Sequence, residues 1–358
     1  MKLRDISVAA AVLLAGVAFA PLAAAQGKAA AWHAPKTPWG APDLQGRWTN
    51  ATITPFERDA KYGDRLALTD GEVKGLEGAN ADLVAEGNKP TDPNAKVTDL
   101  PTNCGRGFTG VDCGYNAGWV DPGTRIIDMG GVKRSSILVA PANGRLPPMT
   151  PAAQERMRTR LAAVRGGRGS FDNPENRSLG ERCIMSFGSS AGPPMLPLLY
   201  NNNYSIVQTP DEVAIEVEMV HDVRHIRLAS GGHLPADMKV WMGDSIGHWE
   251  GDTLVVETTN MRPEQNFRGA SVGSKIVERF TRVGPKQIKY SFTVDDPQIY
   301  TALYTGEVAL NAASGLIYEY ACHEGNYALP GILAGARQQE KEALAAARAA
   351  AAGGGGER

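Results

Sequence analysis

The densest run of side chains able to move protons is MVHDVRHIRLASGGHLP, residues 219–235, which carries His221, Asp222, Arg224, His225 and His233. Imidazoles gain and lose protons near neutral pH, so this run points to general acid–base chemistry. His221 and His225 have the four-residue spacing of a zinc-binding helix. Just upstream, however, Val213, Ile215, Val217 and Met219 alternate with Ala214, Glu216 and Glu218, the period of two that marks a strand. Four residues of strand span about 13 Å, too far for one ion to touch both rings, so no metal site is assigned. In this phase His221 shares the inward face of Val217 and Met219, while Asp222 and Arg224 point outward unless a bulge intervenes. An inward His at that place serves either as a general base lining a pocket or as a hydrogen-bonded core residue.

A second cluster is YEYACHEGNYALP, with Glu319, Cys322, His323, Glu324, Asn326 and Tyr327. Here a strand is expected to end in a Gly-Asn turn, the position of a barrel mouth, where side chains bind ligands or cap turns. Together the clusters suggest His221 as base and His323 with Glu324 as the acid side. Tyr115, Trp119, Asn203, His233 and Tyr327 would contact the ligand, an amphipathic or aromatic small molecule. The reaction would be that of a lyase, isomerase or hydrolase. Two other readings use the same sequence: a non-catalytic carrier of an apolar ligand, and a cell-envelope scaffold working through its Pro/Gly-rich loops.

Other chemistries lack their patterns. SFGSSAG, with Ser186, Ser189 and Ser190, does not have the spacing of a nucleophile elbow. There is neither a phosphate-cradling glycine loop nor a dinucleotide fingerprint, and no cofactor is expected. Asp244, Glu250 and Asp252 in MGDSIGHWEGD depart from the calcium-loop pattern, and their Gly-Asp pairs read as turns. Trp48, Trp119, Trp241 and Trp249 either line an apolar pocket or fill the core.

These residues need a scaffold, and from Tyr204 onward the pattern is β. Val213–Met219, Thr253–Asn260 after a turn at GHWEGD, Ile276–Thr281 and Gln287–Val294 follow at close spacing, the last two joined by Val283-Gly284-Pro285-Lys286. Strands so connected form an antiparallel meander that closes into a barrel or packs as a sandwich. Ahead of them lie a strand over Leu44–Thr54, a helix capped by Thr69 with Glu72 in the capping-box position, and a short buried strand at Ile137-Leu138-Val139. A helix starts at Thr150-Pro151 and carries Arg156, Arg158, Arg160 and Arg165, a face more suited to water than to a ligand. Residues 87–200 form a loop-rich elaboration over one end, 26–43 an extended lead-in, 44–335 a single barrel-based domain, and 336–358 a low-complexity, partly disordered tail.

Residues 1–25 have the three parts of a secretory signal: Lys2 and Arg4, an apolar run from Ile6 to Leu22, and Ala23-Ala24-Ala25 before Gln26. The run is shorter than the roughly 20 residues that span a bilayer, so cleavage near Ala25, export to the periplasm or beyond, and no stable membrane insertion are expected. In that compartment the 4 cysteines favour two disulfides over a zinc site, Cys104 with Cys113 and Cys183 with Cys322. A disulfide at Cys322 would remove it as a nucleophile. A formal charge of −2 argues against nucleic acid, which selects a basic excess.

Several segments together, PDLQGRWTN, YNNNYSIVQTPDEV, HWEGDTLVVETTN, ERFTRV, FTVDDP and IYEYACHEGNYALPGILAGAR, resemble a large uncharacterised family of exported bacterial proteins, from about Pro42 to Arg337. Gly46-Arg47-Trp48 is similar to the Gly-x-Trp of the first strand of lipocalin-type barrels. That likeness implies a mainly β, lipocalin-like barrel rather than a sandwich.

Overall fold

Side chains at every second position bury one face of a strand, and Ile276, Glu278 and Phe280, then Ile288, Tyr290, Phe292 and Val294, are all buried. A computed structural model of the chain describes residues 32–90, 94, 96, 123–165, 171–186, 191–228, 231–265 and 271–353. Its strands are β1 (Gly46–Thr49), β2 (Asp128–Met129), β3 (Val132–Lys133), β4 (Leu138–Ala140), β5 (Asn203–Gln208), β6 (Glu212–Val217), β7 (Val223–Arg227), β8 (Asp244–Glu250), β9 (Thr253–Thr259), β10 (Lys275–Gly284), β11 (Gln287–Asp295) and β12 (Tyr304–Ala312). The helices are α1 (Asp70–Gly87), α2 (Pro151–Arg165) and α3 (Ala328–Gly353).

Nine of these strands close into a barrel in the order β1, β5, β6, β7, β8, β9, β10, β11, β12 and back to β1. β4 lies along the first half of β12. This is the mainly β, lipocalin-like barrel that the sequence implied, with one departure from an antiparallel meander. Each antiparallel seam reverses strand direction, and a ring closes only on an even number of reversals, so nine strands require a parallel seam. It falls between β7 and β8. Parallel neighbours need a crossover of a dozen residues or more, which here is the chain from 228 to 243.

Aromatic side chains pack together in the interior. Trp48, Tyr204, Phe280, Tyr290, Phe292 and Tyr304 are all buried, and the Phe280, Tyr290 and Phe292 rings pack at centroid distances of 4.9 and 5.9 Å. Gly306 makes room for this stack, since a Cβ there would lie 2.3 Å from Phe292 Cζ. Arg282 reaches from β10 over the Trp48 ring, 5.4 Å from its centroid, and Trp48 Nε1–H donates to Leu44 O at 3.0 Å.

Local signals account for the outer elements. The Thr69 hydroxyl accepts from Glu72 N–H while the Glu72 carboxylate accepts from Thr69 N–H, the reciprocal cap that starts α1. Thr150 Oγ1 accepts from Ala153 N–H at 3.2 Å to start α2, and the arginines Arg156, Arg158 and Arg160 on that helix are exposed to water. Cys183 and Cys322 form a disulfide across 139 residues of chain, a bond that belongs in an oxidising, non-cytoplasmic compartment. Cys104 and Cys113 lie outside the described residues. Among those residues no helix is long and apolar enough to cross a membrane.

Three boundaries differ from expectation. β1 stops at Thr49 because the backbone turns to other partners, Asn50 N–H to Asn202 O and Ile53 N–H to Arg125 O. GHWE belongs to β8, not to a turn, which instead is formed by Gly251 (φ +60°) and Asp252. The residues from 336 to 353, expected as a tail, continue α3, where Arg337 anchors the helix by donating to Phe171 O and Asp172 O at 2.9 Å each.

Candidate functional site at the parallel seam

The ladder does not run straight from β6 into β7. After Val217 the chain makes a 3-10 turn, Met219–His221, in which Val220 has φ +61°, and Val217 N–H donates to Asp222 O at 2.8 Å. The turn resets the strand phase. Arg224 therefore sits opposite Ile215 and points into the barrel, whereas Val223 and His225 face out. The outward placement read for Arg224 is thus corrected: it is among the most buried charges in the protein.

Arg224 meets a partner built for it. Its Nη1 and Nη2 donate to Glu278 Oε1 and Oε2 at 2.9 and 2.6 Å, with the two side chains 1% and 0% exposed. Tyr290 O–H donates to the same carboxylate at 2.7 Å and accepts from Met195 N–H at 2.8 Å. Burial disfavours the Arg224 cation, but the adjacent carboxylate outweighs it and the guanidinium is held above its ordinary pKa. Burial and the same carboxylate push the Tyr290 phenol well above the ordinary range. Among the described residues Arg224 Nε has no hydrogen-bond partner.

β7 and β8 share just two residue pairs, Ile226 with Ser245 and Arg227 with Ile246. Ahead of them the wall is unzipped, and a cleft of about 240 Å³ opens there, lined by Arg224, Arg227, Val240, Trp241, Met242 and Asp244 among others. Gly243 shapes this entry: at φ +73° it lies so close to β9 that a Cβ would come within 2.6 Å of Thr258 Cγ2 and Thr259 O. The crossover above it is fastened by Asn260, whose amide donates to Leu234 O and Pro235 O at 2.9 and 3.0 Å.

A chain of charges runs along the seam. Asp244, 6% exposed, accepts from Arg227 Nη2 (2.7 Å), His233 Nδ1 (2.8 Å) and Leu234 N–H (2.9 Å). A carboxylate only accepts, so Nδ1 carries the ring hydrogen and Nε2 is left as the position that exchanges a proton. Nε2 stands 3.4 Å from Glu257 Oε1 without a hydrogen bond among the described residues. Burial alone would raise the Asp244 carboxyl, but its three donors outweigh burial and hold it below the usual carboxylate range. Lys275, 2.5 Å from Glu257, leads the groups that hold that carboxyl low as well. The result is an oriented imidazole between two carboxylates, one of which, Asp244, also lines the partly apolar cleft.

The chain matches no family model and no curated protein.

Of the residues singled out in the sequence, His233 is the one brought into this arrangement, its Nδ1 donating to Asp244. His221 closes the 3-10 turn instead of lying on a strand face, so the phase argument for it does not hold. His225 is 67% exposed, its Nδ1 in contact with a Glu212 carboxylate oxygen. Asn203 donates to Glu218 Oε2 at 2.7 Å, and Tyr318 N–H donates to Glu218 Oε1 at 3.2 Å. His323 and Glu324 are exposed in the turn after Cys322, and Tyr327 is 83% exposed. Asn326 holds that turn, donating to Glu181 O at 2.8 Å. Trp241 and Trp249 are half-buried against the core, Trp241 also lining the cleft. Tyr115 and Trp119 lie outside the described residues. The sequence reading missed Arg227, Glu257 and Glu278, and gave Asp244 to a turn. The Gly- and Pro-containing stretch SGGHLPADMKVWMG, long enough for a crossover, was the signal that could have placed Asp244 at a strand start.

Proposed function

We propose that the protein is an exported enzyme that carries out acid–base chemistry on a small amphipathic or aromatic molecule at the β7–β8 seam, with His233 as the proton-transfer group. The observation that supports this reading is the Asp244–His233 contact of 2.8 Å. It holds the ring in one tautomer and leaves Nε2 to give or take a proton, the arrangement by which a carboxylate prepares a histidine for general base work. Arg227 on the other oxygen of Asp244 keeps that carboxylate ionised and stationary. Trp241, with Arg262 stacked 4.5 Å from its ring centroid, supplies a flat apolar wall. The rival nucleophile of the second cluster, Cys322, is oxidised. The acid–base role passes from His221 and His323 to His233 in this proposal, because His221 belongs to the 3-10 turn and His323 is exposed in the turn after Cys322, whereas His233 is held by Asp244.

A second reading has an observation of its own. Glu257 opposite Nε2 makes Arg227–Asp244–His233–Glu257–Lys275 a continuous polar strap, which would suit a non-catalytic ligand carrier. Hydrolysis of 4-nitrophenyl acetate separates the two. The enzyme reading expects a saturable rate that falls at least tenfold in His233→Asn and holds in His248→Asn, a surface histidine 65% exposed. Equal rates in the two variants would overturn it and leave the carrier.

A further inference from the structure

We propose that the seam cleft selects an uncharged, single-ring molecule bearing a carbonyl oxygen, and that this oxygen accepts from Arg224 Nε–H. The inference rests on the functional reading of the same cleft and adds the chemical class of its ligand.

Three observations lead there. Arg224 lines the cleft, is 1% exposed, and has an Nε without a hydrogen-bond partner among the described residues. Most buried polar groups are hydrogen-bonded, so an Nε–H on the lining is a donor on offer to a bound acceptor. The charges are already balanced: Arg224 faces Glu278 and Arg227 faces Asp244. An added anion would bring an unmatched charge beside a fully buried ion pair, whereas a carbonyl brings lone pairs and no charge. Finally, Val223, Val240, Trp241 and Met242 give the remaining wall an apolar surface. At about 240 Å³ the space lies below the roughly 300–1,000 Å³ of sites for drug-sized ligands, which matches one ring and a short substituent.

The test uses three probes that share a ring and differ in the substituent: acetophenone, benzoate and ethylbenzene. The readout is the arginine Nε–H resonance of the purified protein, followed by NMR during titration, with affinities from the same titrations. A hydrogen bond to a charged donor contributes enough to bind acetophenone about tenfold or more tighter than ethylbenzene. The Arg224 Nε–H signal should move with acetophenone alone. It should move in His233→Asn as well, because binding does not require proton transfer. The double variant Arg224→Met with Glu278→Leu, which removes the pair without stranding either charge, should bind acetophenone and ethylbenzene equally. An Nε–H signal unmoved by the ketone, or benzoate as the tightest probe, would overturn the proposal. If turnover depends on His233 while Nε–H does not respond, the ligand class fails and the enzyme reading stands. If Nε–H responds but His233 is dispensable, the reverse holds.

Discussion

Removing Glu278 should unfold the barrel from within, while removing it together with Arg224 should not. Glu278 is 0% exposed and accepts three hydrogen bonds, two from Arg224 at 2.9 and 2.6 Å and one from Tyr290 at 2.7 Å. Glu278→Leu keeps the volume and leaves the guanidinium buried with no counter-charge, a change that costs about 3–5 kcal/mol. Tyr290 loses an acceptor but keeps its contact with Met195 N–H, so its share is about 1 kcal/mol. The single variant is therefore expected to lose about 4–6 kcal/mol, much of the stability of an ordinary domain. Arg224→Met combined with Glu278→Leu strands no charge, and such apolar replacements of buried pairs are close to neutral, within about 2 kcal/mol of the parent. Urea denaturation followed by tryptophan fluorescence gives all the values, compared at equal m. The cycle should show a coupling of about 3 kcal/mol or more between the two sites. Additive losses, or a single-variant cost under about 1 kcal/mol, would refute the picture of a dry, mutually dependent pair.

Three further outcomes are expected. Reducing the Cys183–Cys322 bond, or replacing both cysteines by Ser, frees a loop of 139 residues and should cost up to about 5 kcal/mol by chain entropy; an unchanged urea midpoint would show that the bond constrains nothing. Gly306→Ala places a methyl against Phe292 and should cost about 1–3 kcal/mol by overpacking, so a midpoint equal to the parent's would contradict the packed interior. The Asp244 carboxyl is held below its unfolded value, near 3.9, chiefly by donors that overcome burial. Its contribution is accordingly complete above about pH 4 and fades as pH falls through the folded value. Asp244→Asn should lose about 2 kcal/mol at pH 5.5, and the gap to the parent should narrow at pH 3; a gap independent of pH would argue that the ionised carboxylate is not what matters.

How much could be read in advance depended on whether information was local. The period-two runs of β10 and β11 and the Thr69–Glu72 cap are local, the pairing of Cys183 with Cys322 is what remains once Cys104 is paired with Cys113, and the structure has these strands, this cap and the Cys183–Cys322 bond as expected. The site was harder because one residue changed the count. Val220, a β-branched residue, adopts φ +61°, which nothing in its type signals. A one-position slip exchanges the two faces of a strand. That slip turned Arg224 inward and took His221 off the strand face. Asp244 was missed for a different reason: a parallel seam brings together residues from both ends of a crossover, here Arg227, His233 and Asp244. Closure of an odd-stranded ring demands such a seam, but the number of strands is a property of the whole sheet and not of any segment.

If His233, oriented by Asp244, moves protons on a ketone bound at the seam, hydrogen exchange at the methyl group of acetophenone in D₂O, followed by NMR, will reveal it. The protein should accelerate deuterium incorporation over buffer, and His233→Asn should abolish the acceleration while still binding the ketone. Exchange at the buffer rate with bound ketone and the parent protein, or equal acceleration by parent and variant, would contradict it.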